Sequence, residues 1–188
     1  KPTGPTALNA LKDAGFDALV TANNHNCDTG TIGLERTVSS IEQNDMKNIG
    51  TLKDNPVYFT IRGIKIAVIA LCMINNGHES EMEMGRDEIG RYSTELFEQY
   101  VNEAHNNHAE FIIAYQHWGK MNSAEVKPTQ KKIAIEMAEL GADLIVASHP
   151  HVMQSYDVLS TSDGRQVPCA YSLGNFLTSM SEFLENRY

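Results

Sequence analysis

Apolar runs alternate with amphipathic stretches along the chain, which predicts alternating strands and helices. Apolar residues spaced three and four positions apart predict four helices, over residues 6–14, 31–43, 94–107 and 127–140. Short apolar runs predict strands over residues 16–22, 47–49, 111–115 and 143–147. Two β-hairpins are also predicted, from residues 56–62 with 65–71 and from residues 152–159 with 166–171.

This order of elements predicts an α/β fold with a mixed β-sheet and helices on both of its faces. A helix comes first, so the strand region that would precede it is expected to be absent. Residues 74–90 show little periodicity and predict a long loop, a kind of segment that is usually functional or mobile. No internal repeat or linker interrupts the sequence, and residues 1–188 are expected to form a single domain.

The composition is that of a soluble globular chain, with 41% hydrophobic residues and a mean hydropathy of −0.33. The net charge of −9 argues against nucleic acids and anionic membranes as partners. No apolar stretch approaches the ~18 residues of a membrane helix, and a signal peptide is not expected within residues 1–188. Because the chain starts at Lys1, it is expected to be processed or to be a fragment of a longer protein.

Three histidine-bearing segments each follow a predicted strand. Asn-Asn-His-Asn-Cys-Asp at residues 23–28 follows the strand over residues 16–22. His-Trp-Gly at residues 117–119 and His-Pro-His at residues 149–151 follow two later strands in the same way. Strands of an open α/β sheet deliver the residues after them to the carboxyl edge, where ligands bind. Imidazole nitrogens with amide or carboxylate oxygens are ligands of zinc, manganese and iron, so the segments predict a shared metal site.

The first segment has two interpretations. Asparagine tolerates left-handed backbone, so the segment would serve as a tight turn between strand and helix. In the functional interpretation, Asn24 offers its carbonyl oxygen to a metal and His25 donates a proton to a leaving oxygen, while Asp28 orients the imidazole of His25.

The other two segments differ in strength. His149 and His151 are two residues apart, and in an extended segment their side chains would point the same way, which favours metal ligation over a chance surface pair. His117 alone is a weaker candidate. A tryptophan beside a histidine, such as Trp118, more often forms part of the wall of a pocket than takes part in catalysis.

The remaining histidines are expected to be unimportant for the site. His105 and His108 lie at the polar end of a predicted helix and are expected to be exposed, and His78 lies in the long loop. A two-metal hydrolytic site needs bridging carboxylates, yet Asp28 is the only acid in the three segments. Either the site holds one metal, or the acids lie outside this chain.

Several motifs, in order along the chain, resemble the bacterial capsule-synthesis family associated with poly-γ-glutamate, named CapA or PgsA. They are Gly-Phe-Asp at 15–17, Asn-Asn-His at 23–25 with Asp28, Gly-Ile-Lys-Ile-Ala at 63–67, His-Trp-Gly at 117–119, Gly-Ala-Asp at 141–143, His-Pro-His-Val at 149–152 and Tyr-Ser-Leu-Gly-Asn-Phe at 171–176. That family resembles calcineurin-like metallophosphatases, so the resemblance implies a layered metallophosphatase-like fold.

The resemblance also implies roles for individual residues. The implied metal ligands are Asn24, His117, His149 and His151. By the same resemblance His25 would be the general acid, and the turn over residues 171–176 would close near the site, where Asn175 would contribute a polar group. Asn175 and Trp118 are the residues predicted to bind substrate. The implied cofactor is a divalent metal (Mn, Zn or Fe) in the full-length parent.

Departures from the family pattern concern the acidic residues. Family members begin with a strand carrying Gly-Asp and later have Asn-Leu-Glu, which would supply carboxylates. Neither motif is present, so the chain is expected to lack the N-terminal part of the domain and to bind metal weakly or not at all. Met121 stands where the family usually has glutamate, and Ser148 where it often has histidine.

Two functions from different classes follow from this resemblance. The first is metal-dependent hydrolysis of a phosphoester or related bond, and the second is a non-catalytic role in capsule polymer assembly or export. The expected partners are capsule polymer or a small-molecule substrate, and other capsule-synthesis proteins. The resemblance implies a cell-surface or membrane-associated extracellular location. The charge of −9 argues against direct binding of a polyanion unless metal ions bridge the two.

A missing N-terminal strand would leave an exposed sheet seam. We expect an unpaired edge or apolar groove lined by Ala18, Val20, Val68 and Ile145. Natural proteins rarely leave such an edge bare. Self-association through this seam is therefore expected.

Overall fold

The computed structural model describes residues 5–74, 76–78, 84–85 and 88–176. The helices within these residues are α1 (Pro5–Asp13), α2 (Gly30–Glu42), α3 (Thr94–Asn106) and α4 (Pro128–Leu140). The strands are β1 (Ala18–Val20), β2 (Lys47–Ile49), β3 (Val57–Ile61), β4 (Ile64–Cys72), β5 (Phe111–His117), β6 (Leu144–Ser148), β7 (Tyr156–Ser160) and β8 (Gln166–Ala170). Every predicted helix and strand is found, with its ends shifted by a few residues. The predicted loop over residues 74–90 lies partly outside the described residues.

Six strands form a mixed sheet in the order β3-β4-β5-β6-β8-β7. The central strands β4, β5, β6 and β8 run parallel, and the hairpins place β3 and β7 antiparallel at the two edges. Cys72 of β4 pairs with His117 of β5, which in turn pairs with Ser148 of β6. The carboxyl ends of these three strands therefore lie in one row.

The first two strands form a separate parallel sheet, in which Ala18 pairs with Lys47 and Val20 with Ile49. The predicted α/β class and mixed sheet are confirmed, but the hydrophobic pattern did not reveal this second sheet. A strand of three residues carries too few positions to indicate which sheet it joins.

The two faces of the large sheet pack against different layers. Helices α3 and α4 cover one face, around Phe97, Ile112 and Met137. The small sheet covers the other face, where Ala70 of β4 packs with Ile49 of β2. Helices α1 and α2 pack on the outer side of the small sheet, in a cluster that includes Leu8, Leu19 and Ile41. The layers thus run helix, sheet, sheet, helix.

The alternation of side chains along β5 decides which residues reach the space between the sheets. Ile112, Ala114 and Gln116 are fully buried on the helix side. Tyr115 lies in the cluster between the sheets, and His117, two residues later, shares its face of the strand. This alternation directs His117 toward the small sheet.

The expected seam needs one correction. Ala18, Val20 and Val68 lie together between the two sheets, but Ile145 is fully buried in the core beneath α3 and α4. Ile145 was wrongly included because successive residues of β6 face opposite sides of the sheet. Among the described strands β1 pairs only with β2, and self-association through its other edge stays a prediction.

The buried side-chain amide of Asn55 hydrogen-bonds to β4 just beyond the point where the edge strand β3 begins. Asn55 Nδ2 donates to the Ala70 carbonyl oxygen at 2.8 Å, and Asn55 Oδ1 accepts from the Ala70 N–H at 2.9 Å. Strand β3 begins only at Val57, opposite Val68, so Asn55 supplies the next pair of ladder bonds from its side chain. Asn55 is 5% exposed, which keeps water from replacing these bonds.

We predict that Asn55→Ala lowers the free energy of unfolding by about 2–4 kcal/mol, because a buried donor and a buried acceptor on Ala70 both lose their partner. Urea unfolding followed by the fluorescence of Trp118, the single tryptophan, measures the change. Asn102→Ala, at an exposed position of α3, is the control and should change the value by less than about 0.5 kcal/mol. A loss below about 1 kcal/mol for Asn55→Ala would contradict the assigned role.

Candidate metal centre

The three histidine segments meet at the carboxyl ends of β1, β5 and β6. His117 is the last residue of β5, His149 follows β6 directly, and Asn24 lies in the turn after β1. In that turn Asn23 Oδ1 accepts a hydrogen bond from the backbone N–H of His25 at 2.8 Å. The asparagine turn that the sequence indicated is therefore present, and it presents Asn24 and His25 at the edge.

Asn24 and His149 both contact the same ring nitrogen of His117. Asn24 Oδ1 lies 2.9 Å from His117 Nε2, and His117 Nε2 lies 3.2 Å from His149 Nδ1. The two imidazole rings meet edge to face with centroids 4.9 Å apart. Residues separated by up to 93 positions in sequence are thus brought to hydrogen-bond distance.

On the side of its ring away from Asn24, His117 contacts Ser148, which in turn hydrogen-bonds to Tyr115. Ser148 Oγ lies 3.4 Å from His117 Nδ1, and the hydroxyl of Tyr115 hydrogen-bonds to Ser148. All three side chains lie on the same face of neighbouring strands. Ser148 occupies the position where the family pattern often has histidine, and here it contacts the ring nitrogen turned away from Asn24.

His151 lies beside this group and is held by Asn175. The ring centroids of His151 and His149 are 6.1 Å apart. Asn175 Oδ1 lies 2.9 Å from His151 Nδ1, and an amide oxygen only accepts, so Nδ1 carries the proton and Nε2 keeps its lone pair. Asn175 Nδ2 is buried and makes no hydrogen bond within the described part of the chain.

The expectation that His149 and His151 lie in an extended segment is wrong. Their φ angles are +106° and +63°, so the backbone turns at each histidine. The physical reason is that β6 ends at Ser148 and the chain leaves the sheet in a tight turn around Pro150. The two rings reach the same region through this turn rather than through strand alternation.

His25 and Asp28 form a partly exposed pair at the rim. His25 Nδ1 lies 2.6 Å from Asp28 Oδ2, with the two side chains 66% and 39% exposed. The structure therefore brings Asp28 to the place from which it orients the His25 ring. The roles of His25 as an acid and of Asp28 as its partner stay predictions.

Trp118 was predicted to bind substrate, and the structure corrects this. Its side chain is 1% exposed, stacks with Tyr171 and donates from Nε1 to the Tyr171 carbonyl oxygen at 2.9 Å. The residue after His117 points to the opposite face of β5, into the core beneath the helices. Trp118 therefore anchors the segment from inside and offers no surface to a substrate.

Asn76 is a contact residue that the sequence analysis missed. Its Oδ1 accepts from Asn24 Nδ2 at 3.0 Å, and its Nδ2 lies 3.4 Å from Asp28 Oδ1 and 3.1 Å from His25 Nδ1. Asn76 follows strand β4, so the rule that identified the histidine segments would have found it. The length of the predicted loop over residues 74–90 concealed it.

His105 and His108 are exposed, as expected, and His78 is exposed as well. His78 nevertheless lies close enough to Asp28 for its charge to lower the pKa of that carboxyl group. Burial raises the pKa of Asp28, but the hydrogen bonds from His25 and Asn76 outweigh it and hold the pKa below its ordinary value.

The two central imidazoles resist protonation. Burial lowers the pKa of His117 to about 3, and the charges of His149, His151 and His25 act in the same direction. Burial, followed by the charges of His151 and His25, also lowers the pKa of His149. Both rings are therefore neutral at physiological pH, as metal ligation by imidazole requires.

The converging atoms fit one side of a divalent-metal site. Ligands about 2.1 Å from one ion lie roughly 3.0–3.4 Å from each other, and the observed separations are 2.9 and 3.2 Å. The donors are two imidazole nitrogens and an amide oxygen, all neutral. Over residues 5–74, 76–78, 84–85 and 88–176, no group of three or more His, Cys, Asp or Glu side chains is arranged to hold an ion.

The layered fold is similar to that of a solved 5'-nucleotidase precursor. The crystal structure of a 5'-nucleotidase precursor from Thermus thermophilus is similar, with a TM-score of 0.60 at 14% sequence identity. The similarity covers 91% of this chain and 36% of that one, and at this identity it concerns the fold alone. The layered fold implied by the sequence resemblance is thereby confirmed.

The family follows from the sequence comparisons. The model described as bacterial capsule synthesis protein PGA_cap matches residues 2–180, and the chain belongs to this family. The capsule biosynthesis protein CapA of Bacillus anthracis is 30% identical over 182 residues, which cover 90% of this chain and 42% of that protein. The PGA biosynthesis protein CapA of Bacillus subtilis strain 168 is 27% identical over 181 residues, covering 93% and 46%. The chain thus spans less than half the length of either relative.

We predict that acid destabilises the metal-free chain through His117. Its pKa is about 3 in the folded state and about 6.5 in the unfolded state, so between these values the unfolded state binds one more proton. The free energy of unfolding therefore falls as the pH drops through this range. His117→Gln should reduce the slope between pH 6 and pH 4 by about 1.4 kcal/mol per pH unit.

Urea unfolding at a series of pH values, followed by circular dichroism with chelator present, measures this slope. His105→Gln, at an exposed position of α3, is the matched control and should keep the wild-type slope. An unchanged slope in His117→Gln would show that His117 is not a buried neutral imidazole.

Proposed function

We propose that this chain forms one side of the catalytic site of a metal-dependent hydrolase that cleaves a phosphoester or related bond in capsule or poly-γ-glutamate biosynthesis. The observation that carries the proposal is that Asn24 Oδ1 and His149 Nδ1 each lie at the spacing of neighbouring metal ligands from His117 Nε2. The names of the relatives support the biological process. The similarity to a 5'-nucleotidase precursor supports the reaction class by analogy only.

The residues divide into a ligand group and a proton-transfer group. Asn24, His117 and His149 would hold a divalent ion (Mn, Zn or Fe), with His151 beside them as a further proposed ligand. Such an ion, when bound, supplies Lewis-acid polarisation of the scissile bond. The protein fixes the donors in advance, because Ser148 and Tyr115 support His117 and Asn175 fixes the tautomer of His151.

His25 would supply the proton to the leaving oxygen. Its Nδ1 is engaged with Asp28 at 2.6 Å, which leaves Nε2 on the opposite side of the ring to carry the transferred proton. The hydrogen bond to Asp28 holds the His25 ring in this orientation. The exposure of the His25 side chain, 66%, gives a substrate access to it.

The alternative function is a non-catalytic role in capsule polymer assembly or export. One observation favours it: the converging donors are all neutral, and the described residues contain no acidic cluster arranged to hold an ion. The two functions differ in one property, since only the first requires a metal in the full-length protein.

The proposed partners are capsule polymer or a small-molecule substrate, together with other capsule-synthesis proteins. The proposed location is the cell surface, where a capsule is assembled. None of the helices in the described residues is long and apolar enough to cross a membrane. The net charge of −9 disfavours direct contact with a polyanion, so a charged polymer would have to be recognised at the metal-loaded site.

We predict that the full-length protein, purified without chelator, contains a divalent metal and hydrolyses an aryl phosphodiester. His149→Gly should lower both bound metal and activity by tenfold or more, about the size of effect expected for a lost site residue. Glycine is chosen because His149 has a φ of +106°, which alanine would adopt only with strain. Elemental analysis and a chromogenic assay measure the two quantities.

Because His105 lies inside helix α3, a change to glycine is unsuitable there as a control. His105→Ala is used instead and should keep both metal and activity. The 188-residue chain alone is expected to bind metal weakly, because its converging donors carry no charge. A full-length protein free of metal and inactive with added Mn²⁺ or Zn²⁺ would exclude the hydrolase and leave the non-catalytic alternative.

We predict that His25 matters most for poor leaving groups. His25→Asn should reduce kcat by roughly 10²–10⁴ for an alkyl phosphoester, whose leaving oxygen needs a proton. The effect on a p-nitrophenyl ester should be much smaller, because p-nitrophenolate leaves without protonation. Steady-state kinetics on both substrates measure this difference, and an equal loss on both would show that His25 is not the acid.

A further inference from the structure

We propose that Asn76 is a positioning residue that fixes the orientation of the Asn24 amide, so that Asn24 presents its oxygen rather than its nitrogen to the candidate metal centre. The proposal deepens the hydrolase function proposed above and rests on it for the metal. The geometric part concerns only residues of this chain and can be tested without metal.

An asparagine amide has two chemically different ends that occupy almost the same space. Asn24 Oδ1 faces His117 Nε2 at 2.9 Å, while Asn24 Nδ2 points away from the centre. A rotation of 180° about the last side-chain bond would place the NH₂ group at the centre instead. An amide NH₂ has no lone pair to offer a metal, so the orientation decides whether Asn24 is a ligand.

Asn76 selects the orientation in which the oxygen of Asn24 is turned inward. Asn76 Oδ1 lies 3.0 Å from Asn24 Nδ2. An amide oxygen only accepts hydrogen bonds, so it stabilises the orientation of Asn24 that places Nδ2 beside it. The flipped Asn24 would bring two amide oxygens together at this distance, which is repulsive.

The orientation of Asn76 is set in turn by Asp28. Asn76 Nδ2 lies 3.4 Å from Asp28 Oδ1, and a carboxylate accepts but does not donate. His25 Nδ1 already donates to Asp28 Oδ2, so its distance of 3.1 Å from Asn76 Nδ2 is a contact between two donors. The direction of donation therefore runs from Asn24 to Asn76 and from Asn76 to Asp28.

Asn76 and Asp28 therefore link the proposed ligand group to the proposed proton-transfer group. Asp28 faces the proton-transfer residue His25 with one oxygen and, through Asn76, orders a ligand with the other. Neither link is visible in sequence spacing, because Asn76 lies 52 positions from Asn24. The single amide of Asn76 joins a candidate ligand to a candidate acid.

The first test measures metal affinity of the full-length protein for Mn²⁺ by titration. Asn76→Ala removes the acceptor and should weaken affinity by about tenfold, the lower end of the effect of losing a group that orients a ligand. Asn76→Asp keeps an oxygen facing Asn24 Nδ2 but turns its other oxygen toward Asp28, so it isolates the acceptor role and should lose clearly less affinity than Asn76→Ala. Asn107→Ala, which removes an exposed asparagine whose amide donates to the Glu103 carbonyl oxygen at the end of α3, is the matched control and should bind as wild type.

The second test needs no metal. In the metal-free chain the oxygen of Asn24 faces His117 Nε2, so that nitrogen should carry the proton. When Asn76→Ala releases the amide, the flipped NH₂ group favours the other tautomer, in which His117 Nδ1 donates to Ser148. Nitrogen-15 shifts of the imidazole should therefore move toward the Nδ1–H form in Asn76→Ala and stay unchanged in Asn76→Asp and Asn107→Ala.

The outcomes separate this proposal from the proposed function. Failure of wild type to bind metal would count against the hydrolase, while the tautomer shift would still decide the role of Asn76. An unchanged tautomer in Asn76→Ala overturns the positioning role, as does metal affinity within twofold of wild type. Equal losses in Asn76→Ala and Asn76→Asp, with a lowered Tm in both, would show a structural role only and would also overturn it.

Discussion

The site depends on the register of three parallel strands. Cys72, His117 and Ser148 are neighbours across β4, β5 and β6, so these strands end in one row. The segments that follow them, carrying Asn76, Trp118 and His149, therefore begin at the same height. A shift of one residue in β5 would turn His117 into the helix-covered core and bring Trp118 to the space between the sheets. The packing of Ile112 and Ala114 in the helix-side core opposes that shift, because both would be turned away from this core. The core packing therefore fixes which residue of β5 faces the candidate site.

The second sheet completes the arrangement from the other side. Strand β1 pairs only with β2 in the described residues, and Asn24 reaches His117 across the gap between the two sheets. His117 is largely buried where the two sheets meet, and this burial lowers its pKa to about 3. Two neutral imidazoles and an amide are in contact there. Such an arrangement is more typical of a site for a ligand than of a stabilising core, because functional sites collect groups with perturbed pKa values.

Much of the fold followed from the hydrophobic pattern, since the helices are long and strongly periodic and the strands of the large sheet are apolar. The candidate residues Asn24, His117, His149 and His151 could be predicted because polar residues after buried strands meet at one edge. The sequence did not indicate the turn at His149 and His151, the second sheet, or the burial of Trp118. Asn76 was missed although it too follows a strand, because the loop around it shows no periodicity. These features depend on long-range packing and on local backbone geometry, which one-dimensional spacing does not encode.

The charge of the site explains how an acidic protein could act on an anionic group. The surface carries a net charge of −9, which repels a polyanion at long range. The converging donors Asn24, His117 and His149 are neutral, so a divalent ion held by them would keep its full double charge. Asp28 does not reduce that charge directly, because its carboxylate is engaged with His25 and Asn76. The local field at the loaded site would therefore be positive inside a negative surface. An anionic group small enough to enter, or the end of a longer polymer, would be attracted there, whereas the body of a polyanion would be kept away.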